Sequence, residues 1–226
     1  MKKITLLLLF NLNIFFGQPQ IDWNVSEINQ ADTARDIENI SEFEKDVILY
    51  HNLVRMFPKK YIQIELLNFK EDLETKDKLK FPYDWEPQNI NSKYFKTLIN
   101  TLQKQKPLPK LNFDKSLSSS AKCLAKEQSV NGKTGHRRVK CKDIAQDKTE
   151  DSLFRSSGIA ENCGYGTYNG KDLVNQLLID QDVPSLGHRN TILNPQYNKI
   201  GVGVDFHPKY EKVIVVDYSY INYFKN

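Results

Sequence analysis

The sequence predicts an α+β fold, with helices packed on a sheet. Three observations carry this. Apolar residues recur at helical spacing through much of the chain up to about residue 180. Two runs rich in Val, Ile and Tyr, about 199–206 and 212–220, then read as strands. Residues 207–211, with Pro208, join them into a terminal hairpin. Helices therefore precede a hairpin, and the two kinds of element form layers around one core.

Each element has its own signal. Ser41-Glu42-Phe43-Glu44 has the form of a capping box. Phe43, Val47, Tyr50, Val54 and Phe57 follow at one-face spacing, and Pro58 breaks the run. A second helical stretch runs from Tyr61 to Phe69. Residues 70–90 are charged, contain Pro82 and Pro87, and read as a long loop. Helical spacing returns at Tyr94, Phe95, Leu98, Ile99 and Leu102, and Pro107 and Pro109 end it. Asp114 suits the cap of the next helix, whose apolar face holds Leu117, Ala121 and Leu124; Gly132 is placed to stop it. From Gly135 to Ser157 the chain is polar and has no clear period. Asn169-Gly170 opens a helix with Leu173, Val174, Leu177 and Leu178 on one side, and Ser185 can cap a short turn through Leu193. Gly201 and Gly203 share one face of the first terminal strand, where another backbone can approach closely.

The organisation expected is a signal peptide at 1–17, a linker at 18–40, one domain at 41–221 and a tail at 222–226. Met1-Lys2-Lys3 precedes roughly 13 mostly apolar residues, Ile4 to Phe16, which is the pattern of a secretory signal. Residues 18–40 carry few large apolar side chains. After signal cleavage no stretch is long enough for a stable membrane span. The protein is thus expected to be secreted, extracellular or periplasmic. Without Lys2 and Lys3 the formal charge falls from +4 to +2. So mild a balance gives no field that argues for nucleic acid. The densest basic run, His136-Arg137-Arg138-Val139-Lys140-Cys141-Lys142, has no interleaved aromatics and reads as a solvated loop.

The cysteines are Cys123, Cys141 and Cys163. Export permits one disulfide, and three pairings exist, each leaving one thiol. Cys141–Cys163 is favoured because it would staple the loop between His136 and Glu161; three free thiols are the alternative. No CxxC or Cys/His zinc-finger spacing occurs.

Several short motifs stand in order along the chain: His51-Asn52 with Arg55, Gly135-His136, Ala160-Glu161-Asn162, Gly187-His188-Arg189, and Ile200-Gly-Val-Gly-Val204. This ordered set resembles the CAP superfamily of cysteine-rich secretory, antigen 5 and pathogenesis-related proteins, the SCP-like domains, and looks most like their bacterial secreted branch. The resemblance covers about 41–220. It implies a three-layer α-β-α sandwich with a mainly antiparallel sheet, and a cleft holding two His and two acids. Carried over by motif, these are His136, Glu161, His188 and Asp180. The family's Val-x-x-Trp-x-x-Glu meets Val174-Asn-Gln-Leu177-Leu-Ile-Asp180 here, so Leu stands for Trp and Asp for Glu.

Imidazole and carboxylate can bind Zn²⁺ or another divalent cation, with His136 and His188 as the candidate metal ligands. The same groups can instead form an acid–base cluster without metal. Asn162, His51 and Arg55 are expected in support, the last two anchoring their helix to neighbouring loops. His207, beside Pro208 in the hairpin turn, is expected on the surface. No Gly-x-Ser-x-Gly or His-Glu-x-x-His is present. Cys163 could be a nucleophile beside His136 or His188, although a disulfide or a small buried hydrophobe fits it better. The favoured function is extracellular binding of a peptide, an envelope component or a lipid rather than catalysis. The alternatives are a metal-dependent hydrolase of peptide or envelope material, and lipid or sterol carriage.

Overall fold

The computed structural model describes residues 21–67, 69, 92–141 and 158–220. The expected signal segment, the loop at 70–90, the tail at 222–226 and most of the polar stretch ending at Ser157 lie outside the described residues. The elements are α1 (Val25–Ala31), α2 (Glu42–Met56), α3 (Pro58–Tyr61), α4 (Lys93–Lys104), β1 (Asn112–Phe113), α5 (Lys115–Asn131), β2 (Ile159–Tyr165), α6 (Gly170–Ile179), α7 (Gly187–Ile192), β3 (Lys199–His207) and β4 (Glu211–Ser219). Beyond Tyr61 the expected second helix continues as a π-helical turn, Ile62–Leu66.

Most helix boundaries follow the sequence signals. Ser41 and Glu44 complete the capping box of α2, and the Asp114 carboxylate accepts from the amides of Ser116 and Leu117 at the start of α5. Gly132 ends α5 in the left-handed conformation. Ser185 does not cap α7. The residue before α7 is Leu186, at φ 52°, with no capping side chain of its own.

The sheet has the order β1-β3-β4-β2. β1 pairs with β3 in parallel; β3–β4 and β4–β2 are antiparallel. Apart from the terminal hairpin, the sequence offered no periodic signal for β1 or β2. β1 is two residues long, and β2 carries Glu161 and Asn162 where alternation would want a simpler pattern.

Helices cover both faces, which makes a three-layer α-β-α sandwich. On one face α5 lies against β3 so closely that a Cβ at Gly201 would stand 2.1 Å from the Ser118 amide nitrogen, and one at Gly203 2.2 Å from that of Lys122. A small apolar cluster of Ala121, Leu124, Ala125, Cys163, Val213 and Val215 fills this side. On the other face α2 and α6 bury the main core over Val202, Ile214, Val216 and Tyr218.

Residues 21–40 are not a linker. Asn24 and Glu27 cap α1, Ala31 and Ala34 are fully buried in the main core, and the Trp23 indole donates to Glu65. Besides these two alanines, Trp23, Ile28, Ile37 and Ile40 pack against the main core, so the few large apolar side chains of the segment are enough to dock it. Among the described residues no helix is long and apolar enough to cross a membrane.

Candidate functional site

Strand β2 organises the site. Successive side chains of a strand point to opposite faces. Glu161 and Cys163 therefore face α5, with Asp217 directly across the ladder from Glu161. Asn162 faces the other layer.

On the α5 face, His136 Nδ1 lies 2.8 Å from Glu161 Oε1. A carboxylate only accepts, so Nδ1 carries the proton toward it and Nε2 is left with no partner among the described residues. The imidazole side chain is 59% exposed and the carboxylate 4%. The other carboxylate oxygen, Oε2, takes a short ion pair from the Arg138 guanidinium, which also donates to Ser120 O and, at 3.4 Å, to Asp217 Oδ2. Burial would raise the Glu161 carboxyl, but the His136 hydrogen bond and the Arg138 charge outweigh it and hold the group below its usual range. Burial, and then the Glu161 charge, push Asp217 well above its usual value. The bond to Glu161 chiefly raises the His136 imidazole, against the effect of its partial burial.

The loop bearing His136 is fastened to α5 and to β2 at several points. The Glu127 carboxylate accepts from the amides of Val139, Lys140 and Cys141. Gln128 donates to Gly135 O, and the Tyr165 hydroxyl accepts from Gly135 N. A disulfide joins Cys123 to Cys141, with Cα atoms 5.6 Å apart, and Cys163 is free and buried. This corrects the expected Cys141–Cys163 pair. Packing of α5 across the sheet brings Cys123 to the loop, a non-local consequence that loop closure alone did not suggest. It also corrects the reading of the basic run as a solvated loop, since the Arg138 side chain is 2% exposed.

On the opposite side, Asp180 and His188 form the second pair. Asp180 ends α6 in the left-handed conformation, at φ 55°, which Asp tolerates better than most residues. Its Oδ1 lies 2.7 Å from His188 Nδ1, and its Oδ2 accepts from the amides of His188 and Arg189. The same carboxylate thus caps α7 and sets the imidazole. Again Nδ1 carries the proton and Nε2 has no partner among the described residues. The shorter Asp suffices in place of Glu because the backbone turn brings it close. Leu177, at the family's Trp position, packs in the main core.

Asn162 connects the second pair to the core. Its amide donates to His188 O and to the Tyr218 hydroxyl, each at 3.2 Å. Tyr218 donates to His51 Nε2, and His51 Nδ1 donates to Val47 O. Burial lowers His51 to about 4, so it is neutral. Arg55 donates to the carbonyls of Pro109, Ile192, Asn194 and Tyr197, anchoring α2 to both neighbouring loops. Burial lowers it to about 10. His207 is not on the surface. It is fully buried, packs between Tyr165 and Tyr210, and accepts from the amides of Lys209 and Tyr210. The strand runs one residue further than the sequence suggested and carries His207 inward.

The fold thus brings His136 to Glu161 and His188 to Asp180, and no hydrogen bond among the described residues joins one imidazole to the other. The His, Cys, Asp and Glu atoms gathered closely enough for a metal are those of His136, Glu161 and Cys163, within 4.8 Å of one another; His188 is outside this group among the described residues. Sequence reasoning missed Arg138 and Asp217. Asp217 did leave a signal, a carboxylate inside the otherwise apolar run Val213–Tyr218. As a nucleophile Cys163 is badly served. Its sulfur and Glu161 approach the same ring nitrogen of His136, whereas a triad uses opposite nitrogens. Burial first, then the neighbouring carboxylates, hold its thiol well above the usual range.

The model of the cysteine-rich secretory protein family, CAP, matches residues 96–218, more than half of the chain. The chain belongs to this family. It is similar to an outer surface protein of Borrelia burgdorferi, at 22% identity and a TM-score of 0.38, over 56% of this chain and 88% of that one. It is also similar to venom allergen-like protein 4 of Schistosoma mansoni, at 17% identity and a TM-score of 0.40, over 80% of this chain and 90% of that one. No curated protein matches.

Proposed function

We propose that the protein is an exported CAP-type binding domain whose recognition groups are the two imidazoles, His136 and His188. One observation carries this reading. Each imidazole is held through Nδ1 by a largely buried carboxylate, so that a free Nε2 is presented in a fixed orientation. Anchoring of one ring nitrogen is the usual way to commit the other to a ligand. The remaining buried polar groups nearby, Arg138, Asn162, Tyr218 and His51, hold the pairs in position and are themselves bonded within the fold. The apolar, lysine-headed N-terminus supports export. A divalent cation belongs to the same reading, since imidazole and carboxylate are among its common ligands. Catalysis has less support, because among the described residues no activated nucleophile accompanies either pair.

The ligand is taken to be a component of the extracellular or envelope environment. The test is a nuclear magnetic resonance titration of the mature protein with envelope peptides, muropeptide fragments and phospholipid vesicles in turn. One of these should move the ring Cε1–Hε1 signals of both His136 and His188 and leave that of His51 in place. A ligand that binds while moving neither ring would contradict the reading.

A further inference from the structure

The geometry points to His207 as an acid-sensitive clamp that joins the turn of the terminal hairpin to the loop carrying His136. The inference concerns the hold on that loop. It stands whether or not His136 and His188 are recognition groups.

His207 ends β3 and pairs with Glu211 across the turn Pro208-Lys209-Tyr210. Its ring is fully buried. Nδ1 lies 3.2 Å from the Lys209 amide nitrogen and 3.3 Å from that of Tyr210. Backbone amides only donate, so Nδ1 carries the lone pair and the ring proton sits on Nε2. Nε2 donates to Lys133 O at 3.2 Å. One neutral tautomer thus serves two amides of the turn and a carbonyl of a segment distant in sequence. Turn amides are usually capped in this way by Ser, Thr, Asn or Asp. An imidazole puts the cap under proton control, because the protonated ring has two donors and no acceptor.

Two further contacts extend the clamp to the His136 loop. Tyr165 stands edge-on to the His207 ring, with centroids 5.6 Å apart, and its hydroxyl accepts from Gly135 N. Gly132, the stop of α5, lies against the turn, where a Cβ would stand 3.2 Å from Pro208 Cγ. The turn, the end of α5 and the start of the loop are thus packed around one ring.

The titratable neighbours are Lys133 in the loop, Tyr165 on β2, Lys209 and Tyr210 in the turn, and Glu211 on β4. The two lysines carry the same charge as a protonated ring. Burial first holds the Tyr165 hydroxyl above its usual range, so it stays neutral. Glu211 is exposed, and among the described residues no carboxylate bonds the His207 ring. Other groups of the loop hold in acid. The bond to Glu161 chiefly raises the His136 imidazole, so its protonation tightens that pair. Against burial, the amides of Lys140, Val139 and Cys141 hold Glu127 below its usual range, so the far flank stays fastened in weak acid. Release therefore begins on the His207 side.

The experiment is amide hydrogen exchange of the mature protein at about pH 7.5 and about pH 5, the span in which histidine changes charge. Rates are corrected for the intrinsic effect of pH. Protection of Lys209, Tyr210 and Gly135 should fall about tenfold or more in acid, while Val139 and Cys141 stay within about twofold. The ¹⁵N spectrum of the His207 ring should show a bare Nδ1 at the upper pH and protons on both nitrogens at the lower. Its midpoint should coincide with the loss of protection. His207→Asn offers the turn an acceptor that takes up no proton, so its Lys209 and Tyr210 amides should be equally protected at both pH values. Wild-type protection unchanged in acid, a neutral ring protonated on Nδ1, or the full acid response in His207→Asn would overturn the clamp. Should His207→Asn fail to fold, the wild-type midpoints decide: ring and amide midpoints that differ would overturn it as well.

Discussion

At the scale of single residues, a recurring arrangement is one buried carboxylate meeting several donors. Asp180 is the clearest case. Two backbone amides and one imidazole converge on it, and its side chain is fully buried. Removing it would leave three donors without their acceptor, and each buried donor so stranded costs about 1–3 kcal/mol. Asp180→Ala should therefore lower stability by about 3 kcal/mol or more, read from the urea midpoint. Asp180→Asn should cost less, because Asn also tolerates the left-handed turn and keeps one acceptor oxygen. Equal midpoints for wild type and Asp180→Ala would mean that the carboxylate does not hold α7 and His188.

At the scale of elements, the close approach of α5 to β3 is the tightest constraint in the fold. Gly203→Ala would place a methyl group 2.2 Å from the Lys122 nitrogen and 2.4 Å from the Ala121 carbonyl carbon, both backbone atoms of a packed helix. Overpacking of this kind costs about 1–3 kcal/mol or more, and the loss should appear as a lower melting temperature. A melting temperature equal to wild type would show that α5 can slide away from the strand. This element also shows what was legible in the sequence. The capping box at Ser41, the Asp114 cap, the Gly132 stop and the glycine pair on β3 each have a local cause, and each could be read. His136, Glu161, Asp180 and His188 were singled out by ordered motifs and not by any period, and the fold joins them as two hydrogen-bonded pairs. What could not be read depends on contacts between distant segments. Cys123 meets Cys141 only because α5 crosses the sheet. Arg138 is buried only because Glu161 and Asp217 lie opposite each other on β2 and β4. His207 turns inward only because β3 runs one residue longer.

For the whole molecule, the site stands where the two helical layers meet β2 from opposite faces, so its geometry depends on the complete sandwich. That includes the N-terminal segment. Trp23 bonds Glu65, and Asn52 on α2 donates to Ala31 O and accepts from Leu111 N, tying α1 to the α2 layer and the strand entry. A chain beginning at residue 41 should melt about 5 °C or more below one beginning at 18; equal melting would mean that α1 only rests on the surface. The central claim is that the fold itself presents His136 on a buried carboxylate. Because that partner raises the imidazole above its ordinary 6.5, the bond stabilises the fold fully below the unfolded value and is lost as pH rises through the folded one. The most direct measurement is a pH titration of the His136 ring by nuclear magnetic resonance, in wild type and in folded Glu161→Gln. The structure predicts a midpoint above 6.5 in wild type that falls in Glu161→Gln. An identical His136 midpoint in both proteins would contradict it.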